Sequence, residues 1–197
     1  MSKEQSSLQV KIQRMRNFLS GMVMPNIGVF IAWGLITALF IPTGWFPNEY
    51  LARLVGPTST YLLPVLIGYT GGYNIYGRRG GVIGAAATMG LVVGADITML
   101  VGGMVMGPLA AWIMKKVDKL FEGRVKPGFE MLIDNFSIGI IGAIIMVTGF
   151  AVVEPIFSVI LAGLSSGVNW AVNNGYIPLA AIFVQPACVL FLNNAIN

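Results

Sequence analysis

The chain has 197 residues, of which 56% are hydrophobic and 10% charged, with 25 glycines, one cysteine and no histidine. An ordinary soluble domain is about 25% charged, so a water-soluble globule is excluded and lipid is the solvent for most of this chain. One cysteine excludes a disulfide framework, and the lack of histidine removes the usual general base and the commonest metal ligand. No cofactor, no metal and no nucleic acid is expected.

Leu8, Ile12, Met15 and Leu19 recur at helical spacing, with Lys11, Arg14 and Arg16 on other faces. This predicts a basic amphipathic helix over residues 1–20 that lies at an anionic membrane surface. Residues 21–41 carry no charge and are long enough, at about 1.5 Å per residue, to cross a hydrocarbon core of roughly 30 Å. The run starts too far from the N-terminus, and lacks a small-residue cleavage site, to be a signal peptide; it reads as a retained first span. Pro25 and Asn26 stand in its first turns, which predicts a shaped entry and an unbroken helix. A turn-rich loop follows, Pro42-Thr43-Gly44-Trp45-Phe46-Pro47-Asn48, whose aromatic pair suits the headgroup region.

Residues 57–76 form a second uncharged span, with Tyr61, Tyr69, Tyr73 and Tyr76, and end at the basic loop Gly77-Arg78-Arg79-Gly80. From 81 to 114 the only charge is Asp96, and a second basic cluster follows at Lys115, Lys116, Lys119, Arg124 and Lys126. If both clusters lie on one side, the segment between them is a short hairpin with Asp96 near its tip. Its Gly90-x-x-x-Gly94 and Gly103-x-x-x-Gly107 spacings allow close helix packing. Whether it crosses twice or dips in and returns is open at this point. Residues 115–130 predict an amphipathic surface helix, and 136–153 a further span ending at Glu154-Pro155. Residues 156–172 and 179–192 form one span and one interfacial helix, or two spans.

The fold class is therefore all-α integral membrane: a multi-span helical bundle with a short Gly-rich hairpin and amphipathic surface helices. Every basic residue except Arg53 falls on one side, which the positive-inside rule makes cytoplasmic, together with the N-terminus.

Among candidate functional residues, Asp96, Asp134 and Glu154 are acids at the ends of apolar runs, where interfacial placement competes with a role in function. Cys188 lies in an apolar run with no cation to lower its pKa, and reads as an inert buried thiol. Asn193, Asn194 and Asn197 supply uncharged donors and acceptors that suit the hydroxyls of a neutral polyol; the same residues would also serve as a polar helix end. Trp33 offers a ring for sugar stacking or a packing surface against a neighbouring helix.

Five segments resemble, in the same order, the membrane IIC domain of mannitol-specific permeases of the bacterial phosphoenolpyruvate-dependent sugar phosphotransferase system. They are Asn17-Phe18-Leu19-Ser20-Gly21-Met22-Val23-Met24-Pro25-Asn26-Ile27-Gly28, Phe40-Ile41-Pro42-Thr43-Gly44-Trp45, Leu66-Ile67-Gly68-Tyr69-Thr70-Gly71-Gly72, Val93-Gly94-Ala95-Asp96 and Phe191-Leu192-Asn193-Asn194-Ala195-Ile196-Asn197. The resemblance implies that residues 21–197 are the N-terminal scaffold and dimerisation part of such a domain in a bacterial cell membrane. It further implies a homodimer that binds mannitol or a related hexitol and carries it inward for phosphorylation by a IIB domain, which is charged in turn by IIA. Asn193, Asn194, Asn197, Trp33 and Asp96 are then the expected sugar-binding residues. No phosphoryl-carrying residue is present, so the chain is expected to supply the permease part of that system. Two departures stand out: Gln185-Pro186-Ala187-Cys188 replaces the family's Glu-Pro-Ala-Lys, and family members continue past the Asn-Asn motif. The chain is thus expected to be the front part of a longer protein; the alternative is a non-transporting membrane protein that associates with a full-length permease.

Overall fold

Glycine and proline decide where these helices bend, because the apolar runs contain little else that would interrupt them. A computed structural model describes residues 2–95, 98–122 and 128–175, and every regular element among them is helical. Helix α1 (Ser2–Val23) leads through a 3-10 turn, Met24–Asn26, into α2 (Ile27–Phe40). The loop after α2 folds back on it, and its N–H groups cap the helix end: Trp45 donates to the Ala38 carbonyl at 3.2 Å and Phe46 to Leu39 at 2.8 Å. Two short helices follow, α3 (Glu49–Ala52) and α4 (Val55–Pro57), then a π-helical segment, Thr58–Leu62, and α5 (Leu63–Val93). Beyond α5 come α6 (Leu100–Phe121), α7 (Glu130–Thr148), a second π segment, Gly149–Val153, and α8 (Glu154–Asn173). Gln13–Phe40, Glu49–Val93, Leu100–Phe121 and Met131–Ile160 are each long and apolar enough to cross a membrane. This is the multi-span all-α architecture that the sequence predicts.

Helix α5 is two arms. In a continuous helix Gly68 and Gly84 would stand about 24 Å apart, yet a Cβ added to Gly84 would lie 2.6 Å from the Gly68 carbonyl oxygen. The chain reverses at Tyr76 (φ −144°, ψ 40°) and Gly77 (φ 53°, ψ −148°). The second of these lies near a region of backbone space reserved for glycine. The arms 63–75 and 78–93 are therefore antiparallel, with the predicted Arg78-Arg79 loop at the turn. The arm 78–93 and α6 form the expected hairpin, whose tip is the 94–99 connection.

Helix α6 lies against both arms of α5, and the three meet through glycine. A Cβ on Gly107 would stand 2.7 Å from the Gly68 Cα, and one on Gly84 would stand 3.2 Å from the Gly107 Cα. Gly72 and Gly80 likewise face each other backbone to backbone. Fully buried Thr88 turns its hydroxyl onto the Gly84 carbonyl at 2.8 Å, so no polar group is stranded in this seam. The main core gathers Ile83, Ala87, Leu91, Met106, Ala110 and Met114; a second cluster joins Met22, Ile67 and Met104, with Phe18, Leu19 and Phe30 packed on it.

Four boundaries differ from those expected. The N-terminal helix runs past residue 20 to Val23, because Leu19, Met22 and Val23 pack into the second cluster. The first span is not unbroken: the 3-10 turn at Pro25 divides it, as the missing proline N–H removes a helical hydrogen bond. Glu154-Pro155 does not end the span expected over 136–153 either, since the π segment passes the chain directly into α8. The lysine-rich segment expected to open a separate helix at 115 starts as the last turns of α6, with Met114 buried and Lys115 exposed on the same rod.

Candidate functional site

The strongest polar constellation among the described residues sits at the end of the bundle where α5 reverses. Arg79 opens the second arm, Asp118 lies in the last turns of α6, and Asp134 and Ser137 lie in the first turns of α7. The guanidinium donates from Nε to Asp118 Oδ2 and from Nη2 to Asp118 Oδ1, each at 2.9 Å, in a two-pronged pair that fixes geometry as well as charge. Its Nη2 also donates to Ser137 Oγ at 3.1 Å, and its Nη1 to the Asp134 backbone carbonyl at 3.1 Å. The Asp134 carboxylate completes the set at 3.3 Å from Nη1. One side chain thus pins three helices together. Asp134, a sequence candidate for interfacial placement, is 57% exposed on its side chain and still takes part, whereas Asp118 is 15% exposed and carries the main pairing.

A second polar group lies at the α1–α2 junction, within a candidate span. Pro25 cannot donate to the Gly21 carbonyl four residues back, and the Asn74 side chain donates to that oxygen at 3.3 Å. Asn26 turns its amide to the Met22 carbonyl at 2.9 Å, Thr70 Oγ1 at 2.8 Å and the Leu66 carbonyl at 3.3 Å. The Thr70 hydroxyl in turn donates to Leu66 at 2.9 Å. These amides tie the first span to the first arm of α5.

The third location is the hairpin tip. A Cβ on Gly94 would meet Glu154 Cγ and the Phe150 ring at 3.1 Å, so the end of this arm rests on the junction of the π segment and α8. The Ser158 hydroxyl donates to Glu154 Oε1 at 2.6 Å. Glu154, read from the sequence as an interfacial acid, is half-buried beside the connection that leads to Asp96.

Of the predicted sugar-binding residues, Trp33 is described. It is half-buried, and its indole N–H donates to the Val55 carbonyl at 3.0 Å, tying α2 to α4. Asp96, Asn193, Asn194 and Asn197 lie outside the described residues, as do Gln185 and Cys188. Sequence reasoning missed Arg79, Asp118, Asn26, Thr70 and Asn74 as a polar framework. A signal was present for Asp118, an acid set among Lys115, Lys116 and Lys119 and the single acid of α6. The described residues contain no group of three or more His, Cys, Asp or Glu arranged to hold a metal. The framework positions helices, since every group in it is engaged with another and none is a free nucleophile.

Helices of membrane-spanning length that meet through glycine, with an Arg–Asp framework at one end, define a multi-span helical membrane domain. The family model for the phosphotransferase system EIIC matches residues 20–191, and the chain belongs to that family. It is 60% identical to a mannitol-specific EIICB component of Halalkalibacterium halodurans over 98% of this chain and 41% of that relative. It is 58% identical to a mannitol-specific EIICBA component of Escherichia coli over 98% of this chain and 30% of the relative. With the Bacillus subtilis mannitol-specific EIICB component the identity is 56% over 98% and 41%. The chain therefore spans less than half the length of these curated relatives. No solved structure matches it.

Proposed function

We propose that the chain forms the scaffold part of a mannitol-translocating EIIC domain in a bacterial cell membrane. The observation that carries this reading is the 60% identity, over 98% of the chain, to a mannitol-specific component. The end bearing Arg78, Arg79, Lys115, Lys116 and Lys119, and with it the N-terminus, faces the cytoplasm, in keeping with the positive-inside rule. There a IIB domain phosphorylates the delivered hexitol, having received its phosphoryl group from IIA. The relatives' names, EIICB and EIICBA, support these partners. Two copies form the working dimer. Asn193, Asn194 and Asn197 hold sugar hydroxyls through their carboxamides, with Asp96 and Trp33 at the edge of the path.

The test replaces the matching segment of the Halalkalibacterium halodurans EIICB component with this chain and measures mannitol binding and uptake in membrane vesicles. Retained binding, competed by mannitol more strongly than by other hexitols, supports the proposal. Asn194→Leu in that chimera should weaken binding by about tenfold or more, the effect of stranding one polar partner, while membrane insertion stays unchanged. An inserted chimera that binds no mannitol overturns the transport reading, and unaltered uptake by Asn194→Leu removes the Asn cluster from the site.

A further inference from the structure

The outward face of α6 has an organisation that the polar framework does not use. Val101, Val105, Leu109 and Trp112 follow one another at spacings of four, four and three residues, and all four are exposed. They form one continuous apolar stripe on the helix. From Val101 to Trp112 the stripe is about 16 Å long at 1.5 Å per residue, against roughly 15 Å for one leaflet of the hydrocarbon core. Directly after it come Lys115, Lys116 and Lys119, all exposed and all within about 60° of Trp112 around the helix axis. The Lys116 ammonium stands 3.8 Å from the centroid of the Trp112 ring.

These lysines keep their charge uncompensated. Asp118, the acid set among them, is turned to the other side of α6, where both its carboxylate oxygens are held by Arg79 at 2.9 Å. Among the described residues the ion pairs are those of Arg79 with Asp118 and Asp134, so none engages Lys115, Lys116 or Lys119. An apolar track one leaflet long, an indole where the track ends and three ammonium groups beyond it match, in order, an acyl chain, a glycerol backbone and an anionic headgroup. Free phosphate would satisfy the lysines but leave the stripe and the indole unused. A zwitterionic lipid would satisfy the stripe but bring its own cation against the lysines.

We propose that this face of α6 is a binding site for an anionic phospholipid, with the headgroup phosphate held by Lys115, Lys116 and Lys119 and an acyl chain lying along Val101, Val105 and Leu109.

The test uses the full chain with Trp112 as its single tryptophan, through Trp33→Phe, Trp45→Phe and Trp170→Phe, in phosphatidylcholine vesicles. Brominated phosphatidylglycerol at about 10 mol% should quench Trp112 at least about twofold more than brominated phosphatidylcholine at the same fraction. The preference should vanish when Lys115→Gln, Lys116→Gln and Lys119→Gln are combined, and millimolar inorganic phosphate should not compete. Equal quenching by the two lipids overturns the proposal. So does a preference that survives the triple lysine change, and so does absence of quenching by either lipid, which would mean that protein covers the face. If the single-tryptophan protein does not fold, native mass spectrometry of the parent chain after mild delipidation reads the same point. Retained phosphatidylglycerol should fall by at least about threefold in the triple lysine variant, and an unchanged amount refutes the assignment.

Discussion

Replacing Gly107 by alanine adds one methyl group at the place where three helices touch. In a helix interior, exchanging glycine for alanine favours the folded state by up to about 1 kcal/mol, through reduced backbone entropy in the unfolded chain. Gly139, in α7, has nothing within 4 Å of its Cβ position, so that gain should appear there unopposed. At Gly107 the same methyl would stand 2.7 Å from the Gly68 Cα and 2.8 Å from its carbonyl carbon, whereas ordinary contact begins at 3.4 Å. Both sides of the contact are backbone, so no side chain can turn away. The first arm of α5 must move from α6, and the seam at Gly84 loosens with it. Overpacking typically costs about 1–3 kcal/mol; with no rotamer to relieve it, the upper end applies. After the propensity gain, the net loss is about 2 kcal/mol. Midpoints of thermal unfolding in a mild detergent compare the two variants directly. Gly107→Ala should fall below the parent and Gly139→Ala should equal or exceed it. A higher midpoint for Gly107→Ala, or a shift of both in one direction, would refute the argument that this seam is sterically closed.

Gly77→Ala should cost about 2 kcal/mol although its Cβ meets nothing within 4 Å, because φ 53° with ψ −148° is strained for any L side chain; an unchanged unfolding midpoint would contradict the reversal at this residue. Asp118→Asn leaves the Arg79 guanidinium half-satisfied and should lower stability by about 2 kcal/mol, between the values for exposed and buried pairs. Asp134→Asn, at an exposed carboxylate 3.3 Å away, should cost less than about 1 kcal/mol; the reverse order in detergent unfolding would displace Asp118 as the main partner. Asn26→Leu removes the amide that reaches Met22, Leu66 and Thr70, with an expected loss of about 1 kcal/mol and faster hydrogen exchange around Met22 and Leu66. Exchange at those amides no faster than in the parent would mean that the side chain is idle.

The spans and the charge asymmetry were legible because both follow from composition along one segment at a time. The reversal beside Arg78-Arg79 and the 81–114 hairpin emerged from that reading, although the turn itself falls at Tyr76 and Gly77 and the arginines already open the next arm. What glycine spacing says is narrower. Gly90-x-x-x-Gly94 and Gly103-x-x-x-Gly107 show that each arm can be approached closely, without naming the partner. Gly90 and Gly94 in fact receive Met146, Phe150 and Glu154, while Gly103 and Gly107 receive Pro64 and Gly68. Those choices depend on the reversal at Gly77, a long-range event that no local period encodes. Arg79 illustrates the same limit: its place at a basic turn was readable, but its acids come from 39 and 55 residues further on.

The prolines mark where local reading and bilayer physics part. In water, a carbonyl deprived of its helical donor is solvated, and a proline reads simply as a helix end. In lipid the oxygen must find a donor within the protein, so a proline inside a span demands an answer elsewhere. Two answers are seen at Pro25, Pro64 and Pro155. At Pro25 a side-chain amide supplies the donor, Asn74 reaching the Gly21 carbonyl across 53 residues of sequence. At Pro64 and Pro155 the backbone itself adjusts: each follows a π segment in which the N–H of Leu63 or Glu154 reaches back to Thr58 or Gly149, widening the turn around the missing bond. This explains why Glu154-Pro155, which the sequence offers as a terminus, passes the helix on. It also gives Asn74, uninformative when read within its own segment, a reason to stand in an apolar helix: it answers a proline on another one.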